Sequence, residues 1–176
     1  MDTIALLRSH LDRLHGSLDS SIRDLSPEEL HWKPSNGCNH IGFSLWHYVR
    51  TEDNLISFVL QNRKPTVWIE NGWYEYFNLD RISQGTGMSE EDAGNIDISS
   101  IDAFMGYMSE VWESTNHYLD SIDEDTLATI FNIRPLGDKT VSEVLFEMIL
   151  THGFSHLGEI WAVSYTHLTL PTNREV

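Results

Sequence analysis

The sequence predicts an all-α protein, a four-helix bundle with one long crossover connection. Apolar residues recur every three or four positions in four long segments, as they do on the buried face of amphipathic helices, and no segment alternates convincingly as a strand. Between the second and third of these segments the periodicity disappears, from Arg63 to about Ser99. A connection of that length can span a bundle, so it permits a topology other than simple up-and-down.

The composition fits one globular domain and disfavours two classes of partner. The chain has 176 residues, enough to bury a core, and a formal net charge of −16. Nucleic acids and anionic membranes both need a basic face, so we expect a small-molecule partner and leave a homodimer open. The single cysteine, Cys38, excludes an internal disulfide and fits a reducing, cytoplasmic compartment. The N-terminus shows no secretion signal, and no apolar segment approaches membrane-spanning length.

The first helix is predicted from an apolar seam with steps of three and four residues. Its members are Ile4, Leu7, Leu11, Leu14, Leu18, Ile22 and Leu25. His10 and His15 flank this seam, and we expect both to be solvated. A short helical turn follows at Ser26-Pro-Glu-Glu29, where serine, proline and glutamate stand at the positions of a capping box.

The second helix is predicted over residues 40–62, with Asn39 as its N-cap. Its apolar face is broad and includes several aromatic side chains. His47 lies deep in this helix, and Arg50 follows it on the next turn of the same side.

The connection after this helix is rich in glycine and aromatic residues. Its aromatic members are Trp68, Trp73, Tyr74, Tyr76 and Phe77. So many aromatic residues argue against disorder. Two interpretations stay open: a crossover that packs its aromatic side chains on the flank of the bundle, and a wall or lid over a pocket.

The third helix begins at Ser99 or Ser100, either of which is a suitable cap. An apolar stripe from Ile101 to Ile122 then marks its buried face. A short turn is predicted after Asp123, and it ends in the sequence Arg-Pro-Leu-Gly137.

The fourth helix carries the residues that point most directly to chemistry. Thr140 and Glu143 form a capping box, and the apolar stripe behind them runs into His152, His156 and Glu159. Histidines four residues apart lie one above the other on a helix, and two neutral imidazoles on a buried face can share a metal ion. The alternative is a pair of ordinary hydrogen-bonded core histidines, because a chain with nine histidines produces such a pair by chance.

Several motifs, taken in order, resemble those of the DinB-like family. They are Trp32-x-Pro34, the run from Ile41 to Asp53 with His47 and Arg50, the segment from Gly72 to Gly87, and His152-x-x-x-His156-x-Gly-Glu159. The resemblance extends to about Ala162. It implies a four-helix bundle with a crossover and a divalent metal held by three histidines, which here are His47, His152 and His156.

The third ligand is the assignment with the most alternatives. His31 lies in an irregular stretch, His40 at the start of the second helix, and His117 off the apolar stripe of the third. Metal sites in bundles are built from side chains on facing helices, which favours His47 within a long helix. The metal is expected to be zinc, with nickel, iron or manganese as alternatives.

Three imidazoles leave one open position on a tetrahedral ion, the arrangement of a catalytic site. The resemblance implies transfer of a low-molecular-weight thiol to an electrophilic small molecule. A metal-dependent hydrolase and a non-catalytic, metal-stabilised binding or stress protein are the alternatives. Glu159 is a candidate base, ligand or orienting group, and Arg50 a candidate contact for an anionic cofactor group or a structural ion pair. Cys38 is a poor nucleophile candidate because it lies well before His47 in the chain.

The C-terminal residues depart from the family pattern. Residues 1–162 are predicted to form the DinB-like domain, whereas residues 163–176 resemble a translated sequencing adapter. We therefore expect this tail to be non-native and His167 to have no role.

Overall fold

The computed structural model describes residues 2–35 and 37–164, which are mostly helical. The helices are α1 (Thr3–Ile22), α2 (Pro27–Leu30), α3 (Ile41–Asp53), α4 (Val67–Glu70), α5 (Trp73–Tyr76), α6 (Glu90–Gly94), α7 (Ile101–Ser121), α8 (Val141–Glu143) and α9 (His152–Val163). Two π-helical segments, Asn54–Val59 and Val144–Thr151, continue α3 and join α8 to α9. A 3₁₀ turn (Thr126–Ala128) and a hairpin of β1 (Ile130–Ile133) and β2 (Gly137–Thr140) complete the elements. The all-α prediction is confirmed.

Four long helices form the bundle, and the first two of them in the chain are not packed side by side. Helix α3 packs against α9 and α7, and α1 packs against the same two helices. The first two long helices of the chain therefore lie on a diagonal. This arrangement is a topology other than simple up-and-down, which the long connection before α7 makes possible.

The helix starts are fixed by local hydrogen bonds. The capping boxes at Ser26 and Thr140 are present as predicted. Ser100, one of the two serines predicted as a cap, accepts the Ala103 amide. The prediction of Asn39 as the cap of α3 was wrong. His40 takes this position, and its Nδ1 accepts the amide of Phe43 at 3.1 Å.

The crossover contains both of the features that the sequence left open. Its aromatic residues pack on the flank of the bundle, where Trp68 lies 5.0 Å from Tyr107 of α7 between ring centroids. Further along the same connection, the Gln84 carbonyl accepts a hydrogen bond from His47. One part of the crossover thus covers the core, and another forms a wall over the second bundle helix.

The predictions that the chain has no strand and that His15 is solvated were both wrong. Residues 130–140 form an antiparallel hairpin in which Ile130 pairs with Thr140 and Ile133 with Gly137. His15, expected to be solvated, is only 5% exposed. Its position between Leu11 and Leu18 places it on the seam, where a buried carboxylate accepts its hydrogen bond.

The end of the predicted domain falls close to the end of the described structure. Helix α9 continues through Val163, which packs against the core. Residues 165–176, including His167, lie outside the described residues, so the interpretation of the tail as non-native remains a prediction. Within the described ranges, no helix combines the length and apolar character that crossing a membrane requires.

Candidate metal centre

Three histidines from two facing helices meet at one point. His47 comes from α3, and His152 and His156 from α9. One ligand nitrogen of each lies within 4.8 Å of the others, and this is the one such group found among the described residues. The Nε2 atoms of His152 and His156 are 2.9 Å apart. The structure therefore brings together the three residues predicted as ligands.

The other side of each imidazole is held by a separate hydrogen bond. Nδ1 of His47 bonds to the Gln84 carbonyl, and Nδ1 of His156 lies 2.8 Å from Glu159 Oε2. His152 hydrogen-bonds to the backbone of Met148. Carbonyls and carboxylates are the usual partners of metal-bound imidazoles, because they fix the tautomer and the ring orientation. These bonds leave the Nε2 atoms of His47 and His156 to face the centre of the group.

Two glycines allow the backbone to approach these histidines closely. A Cβ on Gly85, whose φ is +88°, would lie 3.1 Å from His47 Nδ1. A Cβ on Gly153 would lie 2.5 Å from Leu14 Cδ2 and 2.7 Å from the Tyr48 ring. Because Gly85 has no side chain, the crossover backbone can pack closely against His47. Gly153 likewise allows α9 to pack closely against α1 and α3, directly beside His152.

Burial keeps the imidazoles in the form that binds metals. Together with the charges of the nearby His156 and His47, burial lowers the pKa of His152 to about 4. It also lowers the pKa of His47, against the opposing effect of the hydrogen bond to Gln84. Both side chains are therefore neutral at pH 7, and each offers a lone pair to a cation.

The donor set fits a divalent transition metal. Two nitrogens bound to one tetrahedral zinc at its usual bond length would be about 3.3 Å apart, close to the spacing of the His152 and His156 Nε2 atoms. Three neutral imidazoles suit zinc, nickel and iron better than magnesium or calcium, which prefer oxygen ligands. The three histidines could hold such an ion.

The histidine group is accessible from the surface. All three imidazoles are half-buried. A cleft of about 430 Å³ is lined by His47, His156 and the crossover residues Gly85 to Met88. A second cleft of about 780 Å³ reaches Gln84 and Met148, the residues that hold two of the histidines. A small molecule can therefore approach the group from the crossover side.

Of the two other candidate site residues, Glu159 contacts a histidine of the group and Arg50 does not. Glu159 touches His156 through Nδ1, so its position is that of an orienting group. Arg50 contacts Asp53, Trp68 and the Ile82 carbonyl, and none of these contacts is to a histidine of the group.

The alternative ligands lie elsewhere. Both ring nitrogens of His40 are engaged, one with the Phe43 amide and the other with the Ala93 carbonyl. His117 is exposed on α7. Cys38, considered in the sequence as a nucleophile, lines a separate cleft of about 360 Å³ together with Glu159.

Sequence reasoning predicted Glu159 as a possible orienting group but missed the backbone groups that hold the other two imidazoles. Gln84 acts through its backbone carbonyl, which its residue type cannot reveal. Met148 lies one turn before His152, where any residue would offer the same carbonyl. Gly85 was noted only as part of a glycine-rich stretch, although a glycine facing a ligand histidine is a recognisable sign of close backbone approach.

The chain was compared with known families, curated proteins and solved structures. The sequence profile described as the DinB superfamily matches residues 10–160. No curated protein matches the chain. A crystal structure of a conserved protein from Enterococcus faecalis is similar in fold, with a TM-score of 0.79 and 22% sequence identity over 93% of this chain and 95% of that one.

Proposed function

Because the chain belongs to the DinB superfamily, we propose that it is a divalent-metal enzyme that transfers a low-molecular-weight thiol to an electrophilic small molecule. The observation that carries this proposal is the convergence of three imidazoles beside an open cleft. A structural metal site has no need of such access, whereas a catalytic site needs room for a substrate.

The chain's own residues bind and orient in this proposal. His47, His152 and His156 hold the ion, and the Gln84 carbonyl and the Glu159 carboxylate keep two of the rings in place. An ion there would lower the pKa of a coordinated thiol or water, so that a nucleophile forms at neutral pH. Glu159 is 60% exposed in its side chain and contacts His156, so its role in this proposal is to orient that ring.

The charge and the cysteine content of the chain bear on its partners and its location. With a net charge of −16 the protein is expected to act on a small molecule rather than on nucleic acid or a membrane, and its single cysteine fits the cytoplasm. A homodimer is compatible with this proposal. Zinc is the expected metal.

The first test is the metal content of the full chain purified without a metal-affinity tag. We expect one equivalent of metal in the wild type and in His117→Ala, whose histidine is exposed on α7. His47→Ala, His152→Ala and His156→Ala should each lose most of the metal, since even changes to groups that support a ligand cost about 10- to 100-fold in affinity. Stoichiometric metal in His47→Ala would overturn the ligand set.

The second test separates the reaction classes. Turnover of a generic electrophile should require both the metal and one of a panel of thiols, and adding that thiol should change the absorption spectrum of the cobalt-substituted protein. Hydrolysis of esters or amides without any thiol would indicate a hydrolase instead. Metal binding without either activity would favour a non-catalytic, metal-stabilised protein.

A further inference from the structure

Three arginines line a cleft between the end of α3 and the crossover. The cleft has a volume of about 400 Å³ and is lined by Arg50, Arg63 and Arg81, together with Asn54, Phe58, Pro65, Thr66, Ile69 and Ile82. The chain has only 11 lysine and arginine residues against 27 carboxylates. In so acidic a protein, three guanidinium groups around a cleft whose lining includes no aspartate or glutamate form an unusual concentration of positive charge.

The innermost arginine is buried and only partly paired. Arg50 is 1% exposed. Its Nη2 donates to the Ile82 carbonyl at 3.3 Å, and its guanidinium lies 4.9 Å from the centre of the Trp68 ring. Among the described residues its Nε and Nη1 have no hydrogen-bond acceptor, and the buried hydroxyl of Thr66 also has no partner. Leaving buried donors without acceptors is costly, and a ligand oxygen in the cleft would satisfy them.

The nearest carboxylate does not serve as that acceptor. Asp53 Oδ2 is 3.6 Å from Arg50 Nη1, too far for a hydrogen bond. Its two oxygens already accept from the amides of Val67 and Trp68, both at 2.9 Å. The hydroxyl of Tyr107 donates to Asp53 Oδ2 at 3.1 Å, and its oxygen lies close enough to Arg50 to accept from one of the guanidinium N–H groups. Arg50 has five N–H donors, so this contact and the Ile82 carbonyl leave further donors for a ligand.

The carboxylates that interact with Arg50 are already hydrogen-bonded to the backbone. The charges of Asp53 and Asp80 interact with that of Arg50. Asp80 is occupied by the amides of Ile82 and Ser83. Arg63 and Arg81 are exposed, and Arg81, whose guanidinium lies 5.6 Å from the centre of the Tyr74 ring, can turn toward a ligand.

We propose that this arginine cleft binds the oxyanion group, a carboxylate or a phosphate, of a small molecule. Arg63 and Arg81 supply donors at the rim, and Arg50 and Thr66 supply donors at the base. Guanidinium groups suit this role because their paired N–H donors match the geometry of both oxyanions. Phe58 and Ile69 offer an apolar surface for the rest of the molecule.

The cleft adjoins the approach to the histidine group. Asn54, Phe58 and Arg63 line both the arginine cleft and the larger cleft that reaches Gln84 and Met148. A molecule anchored by its oxyanion can therefore extend along the larger cleft toward Gln84, whose carbonyl accepts a hydrogen bond from His47. This extension rests on the proposed function, whereas binding of the oxyanion does not.

Calorimetric titration of the full chain with inorganic phosphate, and separately with succinate, tests the proposal. At least one of the two should bind saturably, and equally well with the metal bound or removed by a chelator. Arg63→Gln and Arg81→Gln should each weaken binding by about tenfold or more, because one hydrogen bond to a charged group contributes about 1.5–3 kcal/mol. The probe that binds more tightly identifies the anion class.

Arg13→Gln is the matched control, since Arg13 is an exposed arginine on α1 outside the cleft. It should bind the probe like the wild type, and unfolding temperatures should show that all three variants are folded. The proposal is overturned if neither probe binds more tightly than about 10 mM. It is also overturned if Arg13→Gln weakens binding as much as the cleft variants, or if binding needs the metal.

Discussion

Glu52 has no exposure to solvent and is hydrogen-bonded by three side chains from three helices. Tyr48 and Thr115 donate to it, each at 2.6 Å, and His15 Nε2 lies 3.1 Å away. The His15 ring stacks on Trp112 at 3.8 Å between centroids. This network ties α1, α3 and α7 together at the centre of the bundle, and Tyr48 carries it to the edge of the His152 ring.

Burial raises the pKa of Glu52, but the charge of His15 and the hydrogen bonds from His15, Thr115 and Tyr48 outweigh it and lower the pKa below its ordinary value of 4.5. The carboxylate therefore contributes stability above that value, and the contribution is lost as the pH falls through the lower, folded-state pKa. Glu52→Gln should cost about 1.5–3 kcal/mol at neutral pH, because it replaces the charged acceptor of three buried hydrogen bonds with a neutral amide. The difference from the wild type should shrink at about pH 3.

Chemical denaturation at both pH values measures this effect. Glu113→Gln, which alters an exposed glutamate of α7, should change the free energy of unfolding by no more than about 0.5 kcal/mol. A Glu52→Gln cost that is the same at both pH values would show that the charge of Glu52 does not contribute.

Single residues also show how far the sequence could predict the site. The spacing of His152 and His156 along an apolar stripe is a local property, so their pairing could be read directly. The position of His47 deep in a long helix favoured it as the third ligand, but the pairing of its helix with the last one came from the family resemblance, because no local pattern says which helix faces another. His15 was misjudged for the same reason: its partner, Glu52, lies 37 residues further along the chain.

At the scale of elements, the sequence predicted the helix starts that are capped by a neighbouring residue. It did not predict those that are capped by a residue from a distant part of the chain. The capping box at Thr140 needs only residues within one turn. Helix α4, in contrast, begins at Val67, where its first amides are capped by Asp53 from another helix. Four-residue helices such as α4 and α5 are also too short to show a hydrophobic period. The hairpin was missed because its two four-residue strands lack alternation in burial.

The packing of α9 depends on the absence of a side chain at Gly153. Gly153→Ala places a Cβ within 2.7 Å of Leu14 and Tyr48, both of which are fully buried and unable to move aside. Overpacking of this kind costs about 1–3 kcal/mol. Thermal or chemical unfolding should show that loss, together with weaker metal binding, because α9 carries His152 and His156.

Gly16→Ala is the control for this substitution. Gly16 lies within α1, and a Cβ there meets no atom within 4 Å. The change should stabilise the protein by roughly 0.5–1 kcal/mol through helix propensity. If Gly153→Ala is as stable as Gly16→Ala, the close contact of α9 with α1 and α3 is not tight in solution.

For the whole molecule, the sequence predicted the number of long helices but not their neighbours. All four share the same apolar period, so periodicity cannot say that α1 and α3 lie on a diagonal. That order follows from how α9 packs between them, and it is α9 against α3 that assembles the histidine group. The crossover then closes this side through the bond between Gln84 and His47.

The same view of the molecule suggests where the folded unit ends. The profile match stops at residue 160, and the described part of the bundle is closed by Ile160, which is 1% exposed, with Val163 packed beside it. Truncation after Ser164 should therefore change the free energy of unfolding by no more than about 0.5 kcal/mol, as for surface changes. Truncation after Glu159, which removes Ile160 but keeps the carboxylate beside His156, should cost about 2–5 kcal/mol as a core deletion does. Unfolding curves of the two shortened chains against the full chain measure both values. A loss above about 2 kcal/mol on removing residues 165–176 would mean that the tail packs on the bundle and contributes to the fold.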